Sequence, residues 1–286
     1  MSSLSNKIDF VLLVTVTNAN PNGDPLNGNR PRDNYDGYGE ISDVCIKRKL
    51  RNRLQDMGEK IFVQSDDRCD DKCDSLRSRA DSCEILKKIA SGKKTNRDEY
   101  AQAACAEWID VRSFGQVFAF KGDTVSVGVR GPVSIHQAVS LSPVDIVSMQ
   151  ITKSVNSESK EGKSSDTMGM KHRIEFGLYE IKGSINCQLA EKTGFSDEDA
   201  EKIKHALCTL FENDSSSARP EGSMEVCRLY WWKHNCKTPS VSTAKVHRSL
   251  KVSEKNPGKK PQSFDDYLIT VDELPGEIVP EIIDLM

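Results

Sequence analysis

Residues 8–17, Ile-Asp-Phe-Val-Leu-Leu-Val-Thr-Val-Thr, decide the fold. The run is apolar and β-branched, which predicts a buried strand. It empties into Asn18-Ala19-Asn20-Pro21-Asn22-Gly23-Asp24-Pro25, whose Asn, Gly and Pro residues continue neither a strand nor a helix. A helix is expected to start at Ser42-Asp43 and to carry Lys47, Arg48, Lys49, Arg51 and Arg53. Backbone amides, Asn side chains and cations are thereby gathered near the end of one buried strand. That combination suits a phosphate chain better than a small apolar ligand.

The helix over 43–60 has apolar residues at Ile46, Leu50, Leu54 and Met57, with Ile61 beyond, one stripe facing a core. Lys47 and Arg51 sit one turn apart beside that stripe, with Arg48 on its other flank. They are either a solvated helix face or a set of phosphate contacts.

With 286 residues the chain can bury a sizeable core, either one large domain or one domain with insertions. The formal net charge of −3 argues mildly against a general nucleic-acid binder, unless the basic residues are clustered. No apolar stretch reaches the roughly 18–20 residues of a membrane span, so no membrane partner is expected. The opening residues, MSSLSNK, lack the features of a signal peptide. Nine scattered cysteines, an odd number, fit a reduced, cytoplasmic protein.

Residues 65–95 are polar, charge-mixed and poor in large apolar side chains, and with their flank form an expected insertion over 65–100, helical or loose. A helix is expected from Asp98 towards Trp108, then a strand over 124–129. Residues 133–139 and 146–155 read as extended, 156–169 as polar and flexible, and 173–189 as a returning strand. Together they suggest a hairpin whose end projects from the body, over 153–173. A helix over 196–212 has Ser196 as N-cap and an acidic first turn. Residues 224–233 are the last clear strand, and 251–275 read as loop or short pieces. Without the insertions the order is strand, helix, strand, strand, helix, strand. That is the α+β, ferredoxin-like pattern shared by RNA-recognition modules. The aromatic signature of the ordinary RNA-recognition motif is absent from the central strands.

The five histidines, at 136, 172, 205, 234 and 247, sit in no recognisable nucleophile motif, and neither a phosphate-binding loop nor a dinucleotide fingerprint is present. Cys69-x3-Cys73 with Cys83, and His234 with Cys227 and Cys236, are incomplete zinc patterns. No metal and no cofactor is therefore expected. Asp24 is either a turn-capping residue or a catalytic or metal-binding carboxylate. Met168-Gly169-Met170-Lys171-His172-Arg173 joins flexible thioethers to cations. The methionines either wedge between bases, with Lys171 and Arg173 on phosphates, or pack beneath the hairpin.

Several blocks of the chain jointly resemble the CRISPR-associated Cascade backbone subunit, in its subtype I-C form. They are Phe10-Val11-Leu12-Leu13 with the loop through Pro25, Asp43-Val44-Cys45-Ile46-Lys47-Arg48-Lys49-Leu50-Arg51-Asn52, Asp110-Val111-Arg112-Ser113-Phe114-Gly115-Gln116-Val117-Phe118, Gly131-Pro132-Val133-Ser134-Ile135-His136-Gln137-Ala138 and Thr167-Met168-Gly169-Met170-Lys171-His172-Arg173. The resemblance runs to about residue 190. It implies one hand-shaped domain over 1–286: a ferredoxin-like palm, a thumb hairpin and a finger-like insertion. It also implies that copies stack head to tail along one CRISPR RNA, with other Cascade subunits. The thumbs would flip a base at intervals and leave the rest to pair with a target DNA strand. The family's backbone subunit is not the nuclease. Distant relatives in type III complexes cleave RNA with a loop aspartate, which keeps a metal-dependent ribonuclease using Asp24 as the alternative.

A repeated subunit that holds any guide should contact phosphate and sugar, which position without specifying. The expected palm-side contacts are Asn20, Asn22, Arg32, Lys47, Arg48 and Arg51. Gln116, Ser134 and His136 are carried over from matching blocks, and Met168, Met170, Lys171 and Arg173 form the expected thumb side.

Overall fold

The computed structural model describes residues 2–91, 96–120, 126–155, 168–276 and 278–286. Its central sheet and the helices on it are built, in chain order, from strand β1 (Ile8–Ala19), helix α1 (Asp43–Asp56), strands β2 (Val133–Ile135), β3 (Ala138–Pro143) and β4 (Ile146–Thr152), the long strand β5 (Met168–Ile185), helix α2 (Asp197–Cys208) and strand β6 (Met224–Lys233). β1 lies between β5 and β6, antiparallel to both, and β2 and β3 pair with the far side of β5. Each helix therefore carries the chain two places across the sheet, with an antiparallel strand between. This α+β arrangement is compatible with the expected ferredoxin-like order. Short strands at Tyr38–Ile41 and Glu281–Asp284 extend the two edges.

β1 is buried without a break from Ile8 to Val16 because both faces of the sheet are covered. On one face, Phe10, Leu12 and Val14 meet Ile46, Leu50 and Leu54 of α1 and Ile203 and Leu207 of α2. The stripe expected on α1 is thus the buried one. Ser42 caps α1 by accepting from Cys45 N–H, and Ser196 with Asp199 forms a capping box on α2. α1 stops at Asp56, short of the expected residue 60, where Gly58 takes a positive φ of 87°.

The other face carries Val11, Leu13, Tyr230 and Trp232, covered by a helix at Thr243–Ser249 and a two-stranded hairpin, Leu250–Glu254 with Tyr267–Val271. The loop expected over 251–275 is therefore largely an ordered cap. A large apolar side chain gains about 1.5–3 kcal/mol from full burial, so four of them leave this face too costly to expose. The strand expected over 173–189 begins at Met168 and ends at Ile185. Asn186 stops it by capping a short helix, Cys187–Thr193, accepting from Leu189 N–H at 2.9 Å. The extended run expected over 133–139 is interrupted between β2 and β3.

The insertion is helical, with helices Leu76–Ser82, Glu84–Ala90 and Arg97–Glu107. It has its own core of Phe62, Leu86, Tyr100, Trp108, Phe118 and Val127. Its apolar residues are sparse in any one window but converge from 62 to 127. The strand expected over 124–129 falls partly outside the described residues and runs from Val127 to Arg130. The far end of the expected thumb, 156–167, also lies outside them.

Candidate nucleic-acid interface

The hairpin root is set by the register of β4 on β5. Met168 faces Thr152, Met170 faces Gln150, His172 faces Ser148 and Arg173 faces Val147. Alternation along a strand puts Met168, Met170 and His172 on one face with Ser148 and Gln150, and Lys171 and Arg173 on the other with Met149 and Ile151. The two methionines and the pair Lys171 and Arg173, expected to act together, therefore lie on opposite faces of the hairpin root. Met168 and Met170 are 65% and 55% exposed, so they do not pack beneath the hairpin. Lys171 is exposed with no partner among the described residues. Arg173 Nε is buried without a hydrogen-bond partner.

The loop after β1 is held by its own side chains. Asn20 is buried and donates through Nδ2 to the Asn29 carbonyl at 2.7 Å, while its Oδ1 has no partner. Asn22 Oδ1 accepts from Ser42 N–H at 2.9 Å, fixing the loop to the start of α1. Asp24 Oδ1 accepts from Leu26 N–H at 3.2 Å and from Arg32 Nη2 at 3.4 Å, the contacts of a turn-capping carboxylate. The short strand Arg30–Pro31 pairs with Gly23–Asp24 and lies against β5. From there Arg30 Nη1 donates to Ser148 Oγ at 3.1 Å, and the same oxygen is 2.8 Å from His172 Nδ1. Sequence reasoning passed over Arg30, and nothing local to residues 26–37 singles it out.

The cations of α1 are already matched within the chain. Lys47 Nζ is 3.0 Å from Asp43, Lys49 pairs with Asp214, and Arg53 pairs with Glu212 at 2.5 Å. Arg48 donates to the Val63 carbonyl at 2.6 Å, and burial, with Arg51 alongside, holds its guanidinium below the ordinary value. Arg51, 13% exposed, donates to Asp110 at 2.9 Å and lies over the Phe114 ring at 5.1 Å. Arg48 and Arg51, expected as phosphate contacts, are each held by a partner within the chain. Both fasten the insertion to the palm helix, and removing a buried cation from its carboxylate costs several kcal/mol. Lys47 differs. Its partner is a half-exposed i,i+4 carboxylate, worth about 0.3–0.5 kcal/mol, which a phosphate can displace.

Ser134 and His136 stand elsewhere. Ser134 is opposite Ser184, His136 N–H donates to the Lys182 carbonyl at 2.8 Å, and the exposed His136 ring meets the buried His247 edge-on at 5.7 Å. Lys182 and Arg173 lie on the same strand, about 30 Å apart at roughly 3.3 Å per residue. Gln116, in the small ladder Gly115–Phe118 with Val127–Arg130, donates to the Val117 carbonyl at 3.1 Å. The candidates thus fall into two regions joined by the length of β5. Of the two, the hairpin root brings Arg30, without a carboxylate partner among the described residues, to the face of the exposed thioethers, with Lys171 on the opposite face, the chemistry of backbone grip with apolar wedging.

The family described as "CRISPR-associated protein Cas7" matches residues 6–272 of the chain. A curated relative, the CRISPR-associated protein Cas7 of Haloferax volcanii, is 26% identical over 248 residues, covering 79% of this chain and 69% of that protein. Two solved structures are similar. A chain of a CRISPR RNA-guided surveillance complex in a pre-nicking state has a TM-score of 0.49 and 15% identity, covering 84% of this chain and 81% of its own. A chain of a CRISPR RNA-guided surveillance complex has a TM-score of 0.48 and 15% identity, covering 88% and 78%.

Proposed function

The chain belongs to the family of CRISPR-associated Cas7 proteins, and from this we infer that it is an RNA-binding backbone subunit of a CRISPR RNA-guided interference complex. Copies lie head to tail along a CRISPR RNA with other Cascade subunits, leaving the guide free to pair with a target DNA strand. Head-to-tail contacts that do not close on themselves give a helical filament. The subtype is I-C, the role is scaffolding rather than catalysis, and the place of action is the prokaryotic cytoplasm. The match over residues 6–272 carries this reading. The hairpin root supports it, with Arg30 and Lys171 lacking a carboxylate partner among the described residues and Met168 and Met170 exposed. Grip resides at Asn20, Arg32, Lys47 and the hairpin root, with Asn22 shaping the loop. Gln116, Ser134 and His136 contact the strand further along its path.

Co-expression with a CRISPR RNA and the neighbouring subunits tests this reading. A particle holding several copies of the chain per RNA is expected, and a one-to-one complex or none overturns it. The ribonuclease alternative is tested by incubating labelled RNA, divalent metal and the purified chain. Intact RNA with both the unaltered protein and Asp24→Ala is expected, because the Asp24 carboxylate is committed to its turn.

A further inference from the structure

Three segments distant in sequence meet at the root of the hairpin: Arg30 from the loop after β1, Ser148 from β4 and His172 from β5. Ser148 Oγ receives Arg30 Nη1 at 3.1 Å and is 2.8 Å from His172 Nδ1. A hydroxyl has one proton and two lone pairs. In the tautomer with the ring proton on Nε2, the Ser148 hydroxyl accepts from Arg30 and gives its own proton to Nδ1, which leaves Nε2–H as an outward donor. Arg30 has no carboxylate partner among the described residues, unlike Lys47, Lys49, Arg51 and Arg53 of α1. Its remaining N–H donors and the His172 Nε2 have no other partner among them either. Ser148 is exposed and Arg30 and His172 are half-buried, and Ser148 and His172 lie on the hairpin face that also carries Met168 and Met170.

We propose that Arg30 and His172, aligned by Ser148, form a two-donor seat for one phosphodiester group of the guide strand at the hairpin root. The proposal rests on the RNA-binding reading above and names the residues that hold the backbone where the methionines meet the bases. Arg30 supplies the charge, and His172 supplies a directional donor. Ser148 is a positioning residue: it sets the guanidinium and the ring at one separation and one orientation. The seat joins the loop to the hairpin, so the palm and the arm grip the strand at one point.

The test is a salt-titrated anisotropy assay of the full chain with a fluorescent single-stranded RNA of mixed sequence. Arg30→Gln is expected to weaken binding about tenfold, the worth of one charge-assisted hydrogen bond. It should also reduce the slope of log affinity against log salt by about 0.7, one phosphate contact on a single strand. Arg30→Lys should keep the slope, and His172→Leu should weaken binding without changing it. Ser148→Ala should weaken binding, add little to Arg30→Gln, and be rescued by Ser148→Thr, which keeps the hydroxyl. Melting temperatures should stay unchanged. Arg30→Gln with unaltered affinity and slope overturns the seat alone, as does full additivity of Arg30→Gln with Ser148→Ala. Failure of the unaltered chain to bind RNA overturns the RNA-binding reading together with the seat.

Discussion

Arg51 Nε donates to Asp110 Oδ2 at 2.9 Å across 59 positions of sequence. The same carboxylate, 1% exposed, accepts the backbone N–H of Phe62 at 2.7 Å and of Val63 at 3.1 Å. One buried side chain therefore joins the palm helix to both ends of the insertion. Asp110→Ala strands a buried guanidinium and two backbone donors, so a loss of about 3–5 kcal/mol is expected. A fall in the urea midpoint measures it, and an unchanged midpoint contradicts the account.

Lys47 and Arg51 are one helical turn apart and are predicted to behave differently. Lys47→Ala should leave stability within about 0.5 kcal/mol, since only a surface ion pair is lost. It should flatten the salt dependence of RNA binding. Arg51→Ala should lower the melting temperature and leave that salt dependence alone at temperatures where the variant is folded. Reversal of this pattern would return Arg51 to the RNA contacts and make Lys47 structural.

Acid should loosen the molecule through two buried carboxylates. Burial alone would raise the Asp9 carboxyl, but hydrogen bonds from His234 and Lys7 outweigh it and hold the group below its ordinary 3.8. Burial works against Asp199 in the same way and is outweighed by Arg112 and the Ser196 backbone. A carboxyl lowered by folding contributes its full stabilisation above the unfolded value, near pH 4, and loses it as pH falls through the folded value. The urea midpoint should therefore drop below about pH 4, and Asp9→Asn should reduce that acid sensitivity while lowering stability at neutral pH. An Asp9→Asn curve parallel to the unaltered one would remove Asp9 from the explanation.

Met168 and Met170 protrude from the hairpin, so replacing both with Ala should leave melting unchanged. Affinity for single-stranded RNA should fall by roughly tenfold if the thioethers wedge between bases. The salt slope should be unchanged, because no charge is removed. Unchanged affinity would mean that the methionines face something other than RNA.

β1, α1, α2 and β6 were legible in the sequence because each announces itself within a short window. β1 is a continuous apolar run, the two helices have a stripe and a Ser cap, and β6 is an aromatic-rich strand. The cap over 243–271 was not, because its strands are five residues long and bordered by Lys255, Asp266 and Asp272, too short to show a period. The end of β5 was misplaced because the apolar spacing runs on past Asn186, whose capping role needs the helix to be seen. For the site, the residue types were readable but not their partners. Lys49 is 165 positions from Asp214, and Arg30 is 118 from Ser148. A window that shows clustered cations cannot show which of them are already neutralised.

β5 is one unbroken strand of 18 residues. Its lower part is laced to β1 and its upper part to β4, with Ile174 paired on both sides. At roughly 3.3 Å per residue it is a rod of about 60 Å. An arm made from the same rod as the body has no elbow between Met168 and Ile185. Its reach is a built-in ruler, so inserting two residues above Ile174 would preserve which side chains face the strand while lengthening the stride from one copy to the next.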